Sequence, residues 1–230
     1  MNQQDPKIIV ALDFPASNQA MSFVDRLDPS LCKLKVGFEL FVAEGPAFVE
    51  ALVGSGYDVF LDLKFHDIPN TVASACKVAS RLGVWMINVH ASGGQRMMEA
   101  AREAIAQETR PPKLIAVTVL TSMDDEDMRS IQVPVSAREQ ALHLSHLAKQ
   151  SGLDGVVCSA QEVEDMKKIN GEHFLAVTPG IRPKGSAQGD QKRIVTPEDA
   201  FSMGSDYLVM GRPITGAEDP VGVLKQLDAS

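Results

Sequence analysis

Short apolar runs rich in β-branched residues alternate along this chain with stretches whose apolar positions recur at helical spacing. The runs that read as strands are 7–13 (KIIVALD), 32–37 (CKLKVG), 58–64 (DVFLDLK), 85–91 (WMINVHA), 113–121 (KLIAVTVLT), 155–160 (GVVCSA), 174–180 (FLAVTPG) and 206–211 (DYLVMG). Between them, NQAMSFVDRL, AFVEALVGSG, NTVASACKVASRLG and AREQALHLSHLAKQSG carry helical patterns. Gly56, Gly83 and Gly152 fall where a helix should stop before the next strand. Asn70 or Thr71 is expected to cap the helix after the third strand, and Ser136 the one running through Leu142 and Leu147. Ser159 or Gln161 opens the short helix carrying Val163 and Met166. Such alternation requires parallel strands joined by crossover helices. Eight units without a composition break or linker predict a closed (β/α)8 TIM barrel, a single domain over 1–230. The first turn offers no GxGxxG, which argues against a dinucleotide-binding sheet.

One strand departs from the apolar pattern. LDLKFHDIPNT, residues 61–71, places Asp62 and Lys64 inside a strand and Asp67 as it ends. Residues two apart in a strand point to the same face, so Asp62 and Lys64 share one side while Leu61, Leu63 and Phe65 share the other. Charges are costly to bury unless paired. In a barrel, the C-terminal strand ends build the active site, and polar groups collect there. Asp13 ends strand one, Lys33 and Lys35 share a face of strand two, and His66 continues the parity of Asp62 and Lys64. Asn88 and His90 lie late in strand four, Thr121 and Ser122 end strand five, and Arg182 and Arg212 follow strands seven and eight. Lys35, Asp62, Lys64 and Asp67 are expected to converge as an alternating set of two cations and two anions that holds Lys64 over a reacting atom. Lys33 is expected to snorkel out of the barrel base, His90 to be a core histidine with bonded ring nitrogens, and Met86, Asn88 and His90 to form a satisfied polar seam. Gly211 lets the backbone approach an anion closely, and Arg212 adds a planar cationic fork suited to phosphate oxygens. The segment from Pro179 to Thr196 is long for a βα connection, and Gln191 within it is placed to reach the same anion.

Composition narrows the chemistry. Thirty acidic against 22 basic residues give a net charge of -8, which excludes nonspecific attraction to nucleic acid or an anionic membrane surface. Any anionic ligand must meet local positive charge. Cys32, Cys76 and Cys158 are scattered without metal-ligand spacing and read as buried thiols in a reducing compartment. The start MNQQDPK shows no signal-peptide pattern and no segment reaches membrane-span length, so the cytoplasm is expected. There is no HExxH and no Cys/His cluster, and Lys35 and Lys64 would compete with a magnesium ion between Asp13 and Asp62; no metal is expected.

IIVALD, KLKVG, DLKFHDIPNT, VTVLTS, TPGIRP, Gln191 with KRIVTP behind it, and VMGRPI together resemble the orotidine 5'-phosphate decarboxylase family nearly end to end, in its short bacterial form. The resemblance implies cofactor-free conversion of orotidine 5'-phosphate to UMP in pyrimidine biosynthesis. It also implies roles by position. Asp13 and Lys35 contact the ribose hydroxyls, Asp62 lies beside the substrate carboxylate, and Lys64 supplies the proton. Asp67 and Thr71 reach into the neighbouring subunit's site of a homodimer, and Thr121 or Ser122 reads the pyrimidine. Arg182, Gln191, Gly211 and Arg212 act around the phosphate. Three rivals remain. A 3-keto-L-gulonate 6-phosphate decarboxylase shares the third-strand pattern but uses magnesium and would want an acid near Lys35. A ribulose-phosphate epimerase would want a His/Asp metal set, and a binding scaffold would hold ligand without turnover.

Overall fold

Apolar side chains on both faces of the strands place the sheet between an inner core and a layer of helices. The computed structural model describes residues 5–183 and 195–228. Its strands are β1 (Ile8–Ala11), β2 (Lys33–Val36), β3 (Val59–Phe65), β4 (Met86–His90), β5 (Lys113–Val117), β6 (Gly155–Val157), β7 (Leu175–Thr178) and β8 (Tyr207–Met210). All pair in parallel in sequence order, and β1 closes on β8 through Ile9 opposite Val209, forming the expected eight-stranded barrel. Ile9, Phe60, Met86, Ile115, Val177 and Val209 point inward and pack on one another. Their neighbours Val10, Leu34, Leu61, Ile87, Ala116 and Leu208 point outward beneath the helices, where the larger core lies. Strand β6 packs closely on β7: a Cβ on Gly155 would lie 2.4 Å from the Leu175 carbonyl oxygen. Gly155→Ala is therefore expected to force these strands apart and lower stability by about 1–3 kcal/mol, read as a fall in Tm.

Local signals hold at most helix ends. Gly56, Gly83 and Gly152 each adopt positive φ just past a helix. Ser136 caps the helix Ala137–Gln150 in a reciprocal box with Glu139, and Ser159 precedes the helix Ala160–Asn170. The expected cap at Asn70 or Thr71 is corrected. Ile68 is the cap of the helix Pro69–Ser80, because Pro69 suits the first helical position, where no amide hydrogen is required. The three cysteines are free and buried, and burial pushes the Cys32 and Cys76 thiols up to about 12. Among the described residues, no helix is long and apolar enough to cross a membrane.

Lys33 does not snorkel. It is 1% exposed at the base of the barrel, where its ammonium sits 2.9 Å from Asp5 Oδ1 and 2.6 Å from Asp58 Oδ2. The same ammonium stands over the Trp85 ring at 4.4 Å, and Trp85 meets Tyr207 edge-on at 5.0 Å. Two carboxylates and an aromatic face offset the cost of burying the ammonium there. Burial opposes ionisation of Asp5, but hydrogen bonds from Lys7, Lys33 and Tyr207 outweigh it and bring its pKa down to about 2.

Candidate active site

The upper end of β2 and the middle of β3 bring opposite charges together inside the rim. Asp62, 8% exposed, accepts hydrogen bonds at Oδ1 from Lys64 Nζ (2.7 Å) and Asn88 Nδ2 (2.7 Å). Its Oδ2 faces Lys35 Nζ at 3.4 Å, and Lys35 in turn reaches Asp13 Oδ1 at 3.4 Å. Burial alone would raise the Asp62 carboxyl, but the charges of Lys35 and Lys64 and the two hydrogen bonds hold it below the usual carboxylate range. The result is a chain, Asp13–Lys35–Asp62–Lys64, in which each cation touches a carboxylate.

Lys64 reaches Asp62 by a route that simple alternation does not describe. Against β4, β3 takes four residues from Leu61 to Phe65 where its partner takes two, from Ile87 to Val89. Lys64 sits in this bulge at φ +48°, a left-handed conformation uncommon for a lysine. The excess is an even number, so Leu61, Leu63 and Phe65 still face the outer core and Asp62 still faces inward. The Lys64 ammonium also lies 5.2 Å from the centre of the Phe38 ring.

Within one subunit Asp67, the fourth member of the expected set and the residue expected to reach the neighbouring subunit's site, does not join Lys35, Asp62 and Lys64. Asp67 lies beyond the end of β3, exposed, with its own Oδ1 accepting the Ile68 amide hydrogen at 2.6 Å. Among the described residues it makes no ion pair, and Asp13 completes the chain within one subunit. Thr71 is likewise exposed, on the first turn of Pro69–Ser80. His90 is half-buried and its ring lies 5.6 Å from that of His66, but among the described residues its nitrogens make no hydrogen bond, contrary to expectation. Burial first, then the neighbouring His66 and Lys64, depress its pKa. Asn88 was expected only as part of a polar seam; it touches both Asp62 and the Lys64 backbone.

Two cavity lobes, each about 210 Å³, meet along this chain of charges. One is lined by Lys35, Asp62 and Lys64 on one side and by Val117, Val119, Thr121 and Ser122 on the other. Thr121 is buried and Ser122 exposed; both lie past β5, which ends at Val117 rather than at residue 121. The second lobe is lined by Asp13, Lys35, Gly180, Arg182, Gly211, Arg212 and Thr215. Lys35, Pro179 and Val209 belong to both, so the lobes form one cleft with an apolar, hydroxyl-bearing end and an arginine-lined end. Gly211 begins the short helix Arg212–Thr215; a Cβ there would meet Ala11 and Asp13 only at 3.6 Å, so internal packing does not demand the glycine. Arg182 follows β7, where its backbone amide joins Val195 at 3.0 Å. Gln191 lies outside the described residues. Among the described residues, no three histidine, cysteine or carboxylate groups converge as a metal cluster would.

A parallel barrel with buried lysine–carboxylate pairs at one lobe of its cleft and paired arginines at the other belongs to the barrel enzymes built to act on small anionic substrates. More particularly, the chain belongs to the Orotidine 5'-phosphate decarboxylase / HUMPS family, whose sequence profile matches residues 6–227. It is 59% identical to the orotidine 5'-phosphate decarboxylase of Pseudoalteromonas atlantica over 99% of both chains. It is 57% identical to that of Saccharophagus degradans over 100% of this chain and 96% of the relative. The crystal structure of orotidine 5'-phosphate decarboxylase from Lactobacillus acidophilus superposes with a TM-score of 0.88 at 39% identity, covering 98% of each chain.

Proposed function

We propose that this chain, acting as a single barrel domain, decarboxylates orotidine 5'-phosphate to UMP in pyrimidine biosynthesis without metal or organic cofactor. The observation that carries the proposal is the Asp13–Lys35–Asp62–Lys64 chain at the junction of the two lobes. Breaking the C6–carboxylate bond of orotate releases carbon dioxide and leaves the bonding pair on C6, in the plane of the ring. A fixed cation and a proton donor are what that centre needs. Lys64 supplies both: its ammonium stabilises the developing charge, then gives C6 a proton, and water restores the lysine. Asp62 sits against the substrate carboxylate and holds Lys64 in place. Asp13 and Lys35 take the ribose hydroxyls, Thr121 or Ser122 the pyrimidine edge, and Arg182, Gly211 and Arg212 the phosphate, with Gln191 joining them.

The likeness at 59% identity to a protein named for this reaction supports the substrate. Lys35 on β2 supports it over the keto-gulonate phosphate, whose enediolate chemistry wants an acid and magnesium there. The enzyme works as a homodimer in the cytoplasm, with Asp67 and Thr71 completing the partner's site. Their exposure, with that of the intervening Ile68 at 67%, supports a rim covered by a second subunit. Purified protein is expected to convert orotidine 5'-phosphate to UMP at the same rate with and without EDTA. Inactivity of the folded dimer on this substrate, with turnover of 3-keto-L-gulonate 6-phosphate and magnesium, would overturn the reading.

A further inference from the structure

Asn88 is 0% exposed inside the barrel, and a buried carboxamide is retained at a cost unless its donors and acceptor are used. Its Oδ1 accepts the Lys64 backbone N–H at 2.8 Å, and its Nδ2 donates to Asp62 Oδ1 at 2.7 Å. Only one orientation of the amide serves both, since one partner is a donor and the other an acceptor. The contacts have a topological origin. Between Leu61 and Phe65, β3 runs two residues long against β4, so the Lys64 amide falls where the register is broken. The Asn88 side-chain carbonyl takes that amide and props the bulge where Lys64 turns to φ +48°. It also shares Asp62 Oδ1 with the Lys64 ammonium, while Oδ2 is left toward Lys35.

We propose that Asn88 is a positioning residue for decarboxylation, fixing from β4 both the backbone from which Lys64 is aimed and the rotamer of Asp62. The inference rests on the proposed reaction, and concerns kcat rather than affinity. The arginine-lined lobe where the substrate phosphate binds contains no part of Asn88. Misaiming a proton donor by a fraction of an ångström costs turnover without removing a binding contact.

The test compares steady-state kinetics of wild type, Asn88→Ala and Asn88→Asp on orotidine 5'-phosphate. Asn88→Ala is expected to lose about 10²-fold in kcat while KM stays within about three-fold. Asn88→Asp keeps the shape and the acceptor for Lys64 but sets a second carboxylate against Asp62. Around that pair stand Lys35 on β2, Lys64 on β3, His90 further along β4, and Asp13 beyond β1 across Lys35. Two carboxylates in contact raise one another's affinity for a proton, so the acid limb of kcat is expected to move to higher pH. A variant that merely fills space differently would leave that limb in place. Unchanged kcat in folded Asn88→Ala, or a raised KM with intact kcat, would overturn the proposal; should Asn88→Ala not fold, an unshifted acid limb in the near-isosteric Asn88→Asp would do so. Wild-type protein without turnover would instead sink the reaction itself.

Discussion

Lys64→Ala is expected to remove at least about 10⁴-fold of turnover, since it deletes the proton donor and the cation nearest the developing charge together. The fold should survive. Asp62 keeps Lys35 and Asn88 as partners, and the alanine loses no packed core contact, because the Lys64 side chain lies in the cleft. Binding of UMP, whose phosphate meets the arginine end, should change only a few-fold, and isothermal titration measures it directly. Near-normal turnover would refute Lys64 as the donor. A second measurement follows from placing Asp67 in the partner's site. Inactive Lys64→Ala and inactive Asp67→Ala, mixed and allowed to exchange subunits, should regain about a quarter of wild-type activity, because half the dimers then hold one intact site of two. No recovery after demonstrated exchange would mean that Lys64 and Asp67 serve the same site from the same chain.

Arg212→Ala should act at the other end of the cleft and in a different kinetic parameter. Loss of a forked, charged contact to a phosphate is expected to lower kcat/KM by about 30- to 1000-fold, with KM taking the larger share. Part of the loss should reach kcat, since phosphate contacts remote from C6 also hold the ring in register with Lys64. Arg212→Lys, which keeps the charge and loses the fork, should fall between the two. Unchanged KM and kcat/KM in Arg212→Ala would place the phosphate elsewhere. A truncated substrate lacking phosphate should be insensitive to the substitution, which separates lost binding from a distorted barrel.

The strands were legible because each is a short apolar run rich in β-branched residues, and all lie within the stretches that pattern marked except β3, which runs one residue further to Phe65. Their ends were not. The apolar run after β5 continues to Leu120, yet Val119 and Leu120 line the cleft instead of extending the ladder. The opposed charges of β3 were legible for the same reason that they are unusual: an ion pair interrupts an otherwise apolar strand. The bulge that aims Lys64 left no trace in the pattern, since two extra residues restore the parity that one would have inverted. Asn88 was seen but undervalued. An inward amide reads as a seam until the register shows that it stands opposite the bulge. Asp67 lies past the end of β3 and apart from the other charges of its own subunit, so its place in the charge set turns on a second copy of the chain, which no local pattern contains. Lys33 was read from the habits of lysines at surfaces. Its cage draws Asp5, Asp58, Trp85 and Tyr207 from four separate segments, which no local window contains.

That cage has a bearing on traffic through the enzyme. With Lys33, Trp85 and Tyr207 stoppering the floor, the barrel is a vessel with its mouth at the rim. In the proposed reaction carbon dioxide is released beside Lys64, above that floor, and leaves by the doorway through which its parent came in. Departure of the gas, departure of UMP and arrival of the next substrate then share one threshold.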